Sequence, residues 1–214
     1  MTRATLIGAI AIGLLVPSGV GAQPAGKPTR ELVKSHEPIQ NRLAPADRFV
    51  TIKRPGSEEP AVESESPEIE MQSLSLLSEL VVLHQIAVEP YLSVEGGWIR
   101  TRMKGRVSQV FKSESLGLLP GASVEFEMDG GEMIVKGVRV RAGSPPEITT
   151  RPHFIALYLN PRTKGWELAT GFEIGNDDTL QPMSRLDKSA PRESKLRGKP
   201  LAEIEAGLAK RRQK

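Results

Sequence analysis

WIRTRMKGRVSQVFKSESLGLLPGASVEFEMDGG, Trp98 to Gly131, carries two runs of strict alternation. Ile99, Thr101, Met103, Gly105 and Val107 alternate with Arg100, Arg102, Lys104 and Arg106. Period two over this length is the signature of a half-buried strand. Val124, Phe126 and Met128 alternate in the same way with Glu125, Glu127 and Asp129. The two runs read as a hairpin whose apolar faces meet and whose charged faces oppose each other. Pairing 107 with 124, 105 with 126 and 103 with 128 sets Arg106 opposite Glu125, Lys104 opposite Glu127 and Arg102 opposite Asp129. Each such pair is worth about 0.2–1 kcal/mol. A slip of one residue would bury the whole charged stripe.

Upstream, Leu80 to Val94 is rich in β-branched residues and reads as a long strand, with Pro90 marking a bend or an edge. Glu95-Gly96-Gly97 turns it into the hairpin. Ser66-Pro67-Glu68 is a helix start, with a capping hydroxyl, a first-turn proline and an acidic residue, and predicts a helix over 67–79. Downstream, Met133–Val135 and Val138–Arg141 form a tight hairpin at Lys136-Gly137. His153 to Asn160 is apolar on both faces, as a central strand would be. Asn160 to Gly165 is a turn, Trp166 to Ile174 alternates again, and Gly175 to Asp178 turns the chain into a short Thr179-Leu180 strand. About seven short strands and one short N-terminal helix predict a mainly β chain, a small antiparallel β-barrel whose closure removes exposed edges.

The flanks differ in kind. A hydrophobic fraction of 38%, with 17 Pro and 20 Gly, is low for a chain that is core throughout. Residues 1–22 have a positive start, an 11-residue apolar run from Leu6 to Val16 and small residues before Gln23. That is the layout of a secretory signal cleaved after Ala22, and the run is short for a membrane span. The chain is therefore expected to be exported, to the periplasm or outside the cell, and to keep no integral membrane segment. Residues 23–66 read as a disordered or extended Glu-rich arm, although Leu32, Val33, Leu43, Phe49, Val50 and Ile52 have the character to pack on the barrel. The barrel domain is placed at 67–181. Residues 182–214 read as a basic disordered tail with room for a short helix over 201–210. Net charge is +3, unevenly spread: Pro55 to Glu70 holds six Glu and no Lys or Arg, while 182–214 holds ten Lys/Arg against four Asp/Glu.

From Leu74 to about Leu180 the order of features resembles an uncharacterised family of exported bacterial β-barrel proteins, OB-like in shape. The residues that carry the likeness are Ser78 to Val82, Thr101, Val107 to Lys112, Phe126 to Gly131, Gly143-Ser144-Pro145, Phe154 to Leu159 and Trp166 to Gly171. Ser113 stands where the family usually has glycine, and Arg151-Pro152-His153 replaces a Gly-Glu pair. The resemblance implies an OB-like fold and assigns no catalytic residue.

With no cysteine there is no disulfide, thiol nucleophile or thiolate metal site. No G-x-S-x-G or H-E-x-x-H occurs, and His36, His84 and His153 match no zinc spacing. Asn176-Asp177-Asp178 lacks the ligand pattern of a calcium loop, and Gly130-Gly131 precedes a hairpin and not a helix N-terminus. No cofactor, metal site or catalytic residue is expected. The candidate polyanion contacts are Arg100, Arg102, Lys104 and Arg106 on the stripe and Lys210, Arg211 and Arg212 in the tail. Nucleic-acid platforms add stacking aromatics to their cations, and this chain is 4% aromatic. The expectation is a non-enzymatic binding or interaction module of the cell envelope, its partner an envelope protein or a polyanion. Its rivals are an enzyme or enzyme accessory, which polar residues converging in a cleft would favour, and polyanion binding through the tail.

Overall fold

The computed structural model describes residues 30–54, 66–143, 145, 147–183 and 194–212. The expected signal segment and the acidic run at 55–65 lie outside them. No helix among the described residues is long and apolar enough to cross a membrane.

The central hairpin is strand β4 (Ile99–Ser113) against strand β5 (Ser123–Asp129), antiparallel. Its faces are those the alternation demands: Ile99, Thr101, Met103, Gly105, Val107, Val124, Phe126 and Met128 are all buried. Its register is two residues away from the one expected. Gly105 faces Val124, Met103 faces Phe126, Lys104 faces Glu125, Arg102 faces Glu127, and Arg106 faces Ser123. Alternation constrains only the parity of a pairing, so a two-residue slide leaves both faces intact. The connection selects between them: Gly121 N donates to Val107 O at 2.7 Å and Val107 N to Ala122 O at 2.8 Å.

Around this hairpin the strands form a nearly closed ring. Strand β3 (Glu79–Leu92) pairs with β4 along its length and with strand β8 (His153–Leu159) over 79–83. Strand β9 (Trp166–Ile174) pairs with β8 and touches β5 through one parallel pair, Glu127 with Glu167. Strand β10 (Leu180–Pro182) adds to β9. Beyond Leu83, β3 has β4 as its one strand neighbour, so Pro90 sits where a missing N–H is tolerated. Met103, Val124, Phe126, Ile155 and Leu157 fill the ring. Leu80, Val82, Phe111, Phe154 and Phe172 project outside it, under helices α2 (Pro67–Ser75) and α3 (Leu201–Arg212). Ser66 caps α2 as its sequence predicts, its hydroxyl accepting from Ile69 N at 3.4 Å.

Residues 30–53, expected in a disordered arm, are built into the fold. Strand β1 (Arg30–Val33), a helical turn α1 (Ile39–Arg42) and strand β2 (Phe49–Lys53) join strands β6 (Gly131–Val135) and β7 (Val138–Ala142) in a second sheet, ordered β1-β2-β7-β6. Ile39, Val50 and Ile52 are fully buried with Trp98, Ile99 and Val140 in a third core. The polar sequence around so short a run hid it, since β2 is stabilised by β7, far along the chain. The tail is corrected too over 194–212: Leu196, Ile204 and Leu208 are buried against α2 and the ring. Strands therefore number ten among the described residues, where about seven were expected.

Two local devices hold this architecture. At Gly130-Gly131 the chain passes from the ring into the second sheet, and Cβ atoms there would lie 2.6 Å from Ala142 O and 2.5 Å from Thr101 Oγ1. Glu79, fully buried, accepts from Ser115 N (2.9 Å), Leu116 N (3.0 Å) and the Ser113 hydroxyl. The same hydroxyl accepts from Leu118 N at 2.8 Å. The Ser113 side chain thus joins the Glu79 carboxylate to the start of the β4–β5 loop.

Candidate functional site

An open cleft of about 690 Å³ lies at the Trp98 end of the ring, where the second sheet meets it. Its walls come from four places. Lys34, Ser35 and His36 follow β1, and Arg54 follows β2; Ser93, Glu95, Gly97 and Trp98 come from the β3–β4 loop. Arg100, Met128 and Asp129 lie on β4 and β5; Tyr158, Asn160, Arg162, Thr163 and Glu167 lie on β8, β9 and their loop.

The loop glycines allow the approach of the segment after β1. A Cβ on Gly97 would lie 2.2 Å from Ser35 O, and Ile39 N donates to Gly96 O at 2.8 Å. The other wall is pinned by Asn160, whose Oδ1 accepts from Arg162 N at 2.8 Å, an Asx turn.

Trp98 forms the floor, 3% exposed. Its indole N–H donates to Asp129 Oδ1 at 2.9 Å, and Asp129 Oδ2 pairs with Arg54. Lys34 Nζ stands 4.9 Å from the Trp98 ring centroid and Arg54 Cζ 5.8 Å, both within cation–π range. Burial, and next the charge of Arg54, lower the Lys34 pKa from its ordinary value, while Glu95 opposes them at longer range. His36 Nδ1 lies 2.7 Å from Glu95 Oε2 at the exposed rim.

Arg100 links the ring where β5 meets β9. Its guanidinium lies 2.5 Å from Glu167 Oε1 and 3.3 Å from Glu127 Oε2. Tyr158 donates to Glu167 Oε2 at 2.8 Å and Tyr91 to Glu127 Oε1 at 2.7 Å. Burial pushes Glu167 up, but the Tyr158 hydroxyl, the Asn160 side chain and Arg100 outweigh it and hold the carboxyl below its ordinary range. Its contribution to stability is therefore complete above the ordinary carboxyl value and is lost as pH falls through the depressed one.

The tyrosines move the other way. Burial, then the bond to Glu127 and its charge, push Tyr91 up to about 12; the bond to Glu167, then burial, raise Tyr158. The neutral phenols favour the fold below their ordinary value of 10.0, and that contribution is lost as pH rises through the folded values. These are the chain's two tyrosines, so an absorbance titration of the native protein should show no phenolate step at 10.0 and Tyr91 ionising at about 12. Ionisation of both at the ordinary value, with near-ultraviolet dichroism still native, would contradict the two hydrogen bonds.

Of the residues singled out in the sequence, Arg100 lines this cleft. Arg102 pairs with Glu125 at 3.3 Å and lies over Tyr91 at 5.3 Å. Lys104 and Arg106 are exposed on the outer face of β4. Lys210 is exposed on α3, Arg211 donates to Glu68 O at 3.0 Å, and Arg212 ends the helix. That helix packs by the Phe111 end of β4, so the tail cations and the stripe do not share a surface. His153 is fully buried in β8 opposite Leu83, with neither ring nitrogen in good hydrogen-bond geometry. Burial lowers its pKa. No group of three or more His, Cys, Asp or Glu among the described residues is arranged to hold a metal ion.

Lys34, Arg54, Trp98 and Arg162 were missed because the docking of the second sheet on the ring and the closure of the ring, not sequence proximity, bring them together. No local motif joins them, since they fall in an arm and in turns. No family model, curated protein or solved structure matches this chain.

Proposed function

We propose that the chain is an exported, non-enzymatic binding module of the cell envelope, an OB-like barrel that takes its ligand in the cleft. The observation that carries this reading is the address of the cleft on the ring. Its walls are the β3–β4 loop, the β8–β9 loop and the face of β4 and β5. OB barrels hold oligonucleotides and oligosaccharides on their second and third strands and at the loops after their first and fourth. Strand order supports the same assignment: β3-β4-β5-β9-β8 returns to β3, and β5 and β9, the third and fifth ring strands in chain order, meet in parallel. The apolar N-terminal run followed by small residues supports export.

The carboxylates of the cleft favour binding over catalysis. Glu167 and Asp129, and Glu127, which shares Arg100 with Glu167, each have both oxygens engaged by cations, phenols or the indole, and Glu95 at the exposed rim has Oε2 on His36. A general acid or base works best with a pKa near the operating pH, and Glu167 is shifted away from it. The convergence of polar groups is also what an enzyme needs; that second reading requires a ligand to release one of these carboxylates from its partners. The stripe is a weaker candidate because Arg100 and Arg102 are already paired.

The test is a panel of immobilised neutral and acidic oligosaccharides and single-stranded oligonucleotides, presented to the full chain and to Thr163→Trp, which narrows the mouth. A retained ligand class should lose about tenfold or more in affinity in the variant, the scale of one lost strong polar contact. Equal retention by both proteins would place binding elsewhere, and retention of nothing would overturn the reading.

A further inference from the structure

Resting on the binding reading above, we infer that the cleft takes an acidic saccharide, a sugar carboxylate seated between the Lys34 ammonium and the Arg162 guanidinium over the Trp98 floor.

The register of the second sheet brings two cations together. Strands β1 and β2 are parallel with Val33 opposite Lys53, so the next residues, Lys34 and Arg54, leave the sheet side by side. Lys34 N donates to Lys53 O at 2.7 Å, which fixes that exit. Both cations then lie over one indole ring. Two like charges held this close repel, and an anion shared between them offsets that repulsion.

The cleft's own carboxylates do not meet that need. Asp129 serves Arg54 and the indole, Glu167 serves Arg100 and Tyr158, and Glu95 faces His36. Neither Lys34 nor Arg162 has an ion-pair partner among the described residues. Burial and the charges of Arg54 and Arg100 lower the Lys34 pKa against the opposing charge of Glu95, so on balance the ammonium is short of negative charge. One carboxylate there would be received by an ammonium and a forked guanidinium.

The rest of the lining selects a sugar over a nucleic acid. Single strands are held by bases stacking on open aromatic faces. Trp98 is buried beneath its cations, and the Tyr91 and Tyr158 hydroxyls are bound to carboxylates. The mouth instead offers the hydroxyls and amide of Ser35, Ser93, Asn160 and Thr163. Glu95 at the rim is an acceptor for sugar hydroxyls.

Calorimetric titration of the full chain with tetragalacturonate, maltotetraose and a short oligothymidylate tests this, with near-ultraviolet dichroism confirming that each variant is folded. Tetragalacturonate should bind saturably and more tightly than maltotetraose. Lys34→Gln and Arg162→Gln should each weaken it about tenfold, Lys34→Arg should restore most of the affinity, and Lys104→Gln on the stripe should leave it unchanged. Tetragalacturonate binding no tighter than maltotetraose, or unaffected by both glutamine variants, overturns the inference. If maltotetraose alone binds and is lost in Thr163→Trp, the cleft reading stands and the acidic ligand falls. Tighter binding of oligothymidylate also overturns it, in favour of nucleic acid.

Discussion

Gly131→Ala should destabilise the protein by about 3–5 kcal/mol, the sum of overpacking and left-handed strain. Gly131 has φ +154°, and a Cβ there would lie 2.5 Å from Thr101 Oγ1 and 2.9 Å from Ile99 Cγ2. Neither neighbour can yield. Ile99 is fully buried, and Thr101, 3% exposed, donates its hydroxyl hydrogen to Gly130 O at 2.7 Å. The control is Gly137→Ala in the β6–β7 turn. There φ is +77° with nothing within 4 Å of the added Cβ, so conformational strain alone operates, about 1–2 kcal/mol. Urea unfolding of the three proteins gives the comparison. Equal costs at 131 and 137 would mean that the passage between the sheets is not close-packed.

The second large effect is expected at Glu79. Removing its carboxylate in Glu79→Ala leaves two backbone N–H groups and the Ser113 hydroxyl, all partly buried, without their acceptor. Water reaches the exposed Ser115 and Leu116, so each donor falls at the low end of the about 1–3 kcal/mol that an unsatisfied buried group costs and a total of about 2–3 kcal/mol is expected. Glu79→Gln keeps an acceptor for Ser115 and Leu116 and should cost about half as much. Ser113→Gly should cost about 1 kcal/mol through the loss of one link. A cost for Glu79→Ala no greater than that of Ser113→Gly would show that the carboxylate does not anchor the loop.

Much of the ring was legible because its strands are locally amphipathic. In β4 and β5 every second residue is apolar, and burial follows that pattern without exception from Ile99 to Val107. Register was not legible, since a slide by two residues satisfies the same alternation and the choice depends on how Gly121 and Ala122 bond to Val107. Strand β2 was not legible for a different reason. FVTIK is too short to show a period, and what makes it a strand is the unpaired edge of β7. The charge map drew attention to Arg100 through Arg106, but strand pairing turns most of that stripe towards its acidic neighbours. The cleft lies at the end of the stripe, where two loops recognised in the sequence only as turns come together around Trp98. Trp98 lies in the core, and the cations occupy the upper surface of its ring.

The parallel pairing of β2 with β7 also bears on how the molecule comes to be folded. Phe49 pairs with Arg139, so β2, with only β1 beside it, has no place in a larger sheet until the hairpin of β6 and β7 exists. Non-local parallel contacts close long loops and form slowly. The ring hairpins, by contrast, are local and can nucleate first. During synthesis from the N-terminus, β1 and β2 therefore wait as exposed segments while the later chain assembles. Lys34 and Arg54 reach the Trp98 floor in that last docking step, so the cleft matures after the ring, and a molecule with a complete ring can still lack its site.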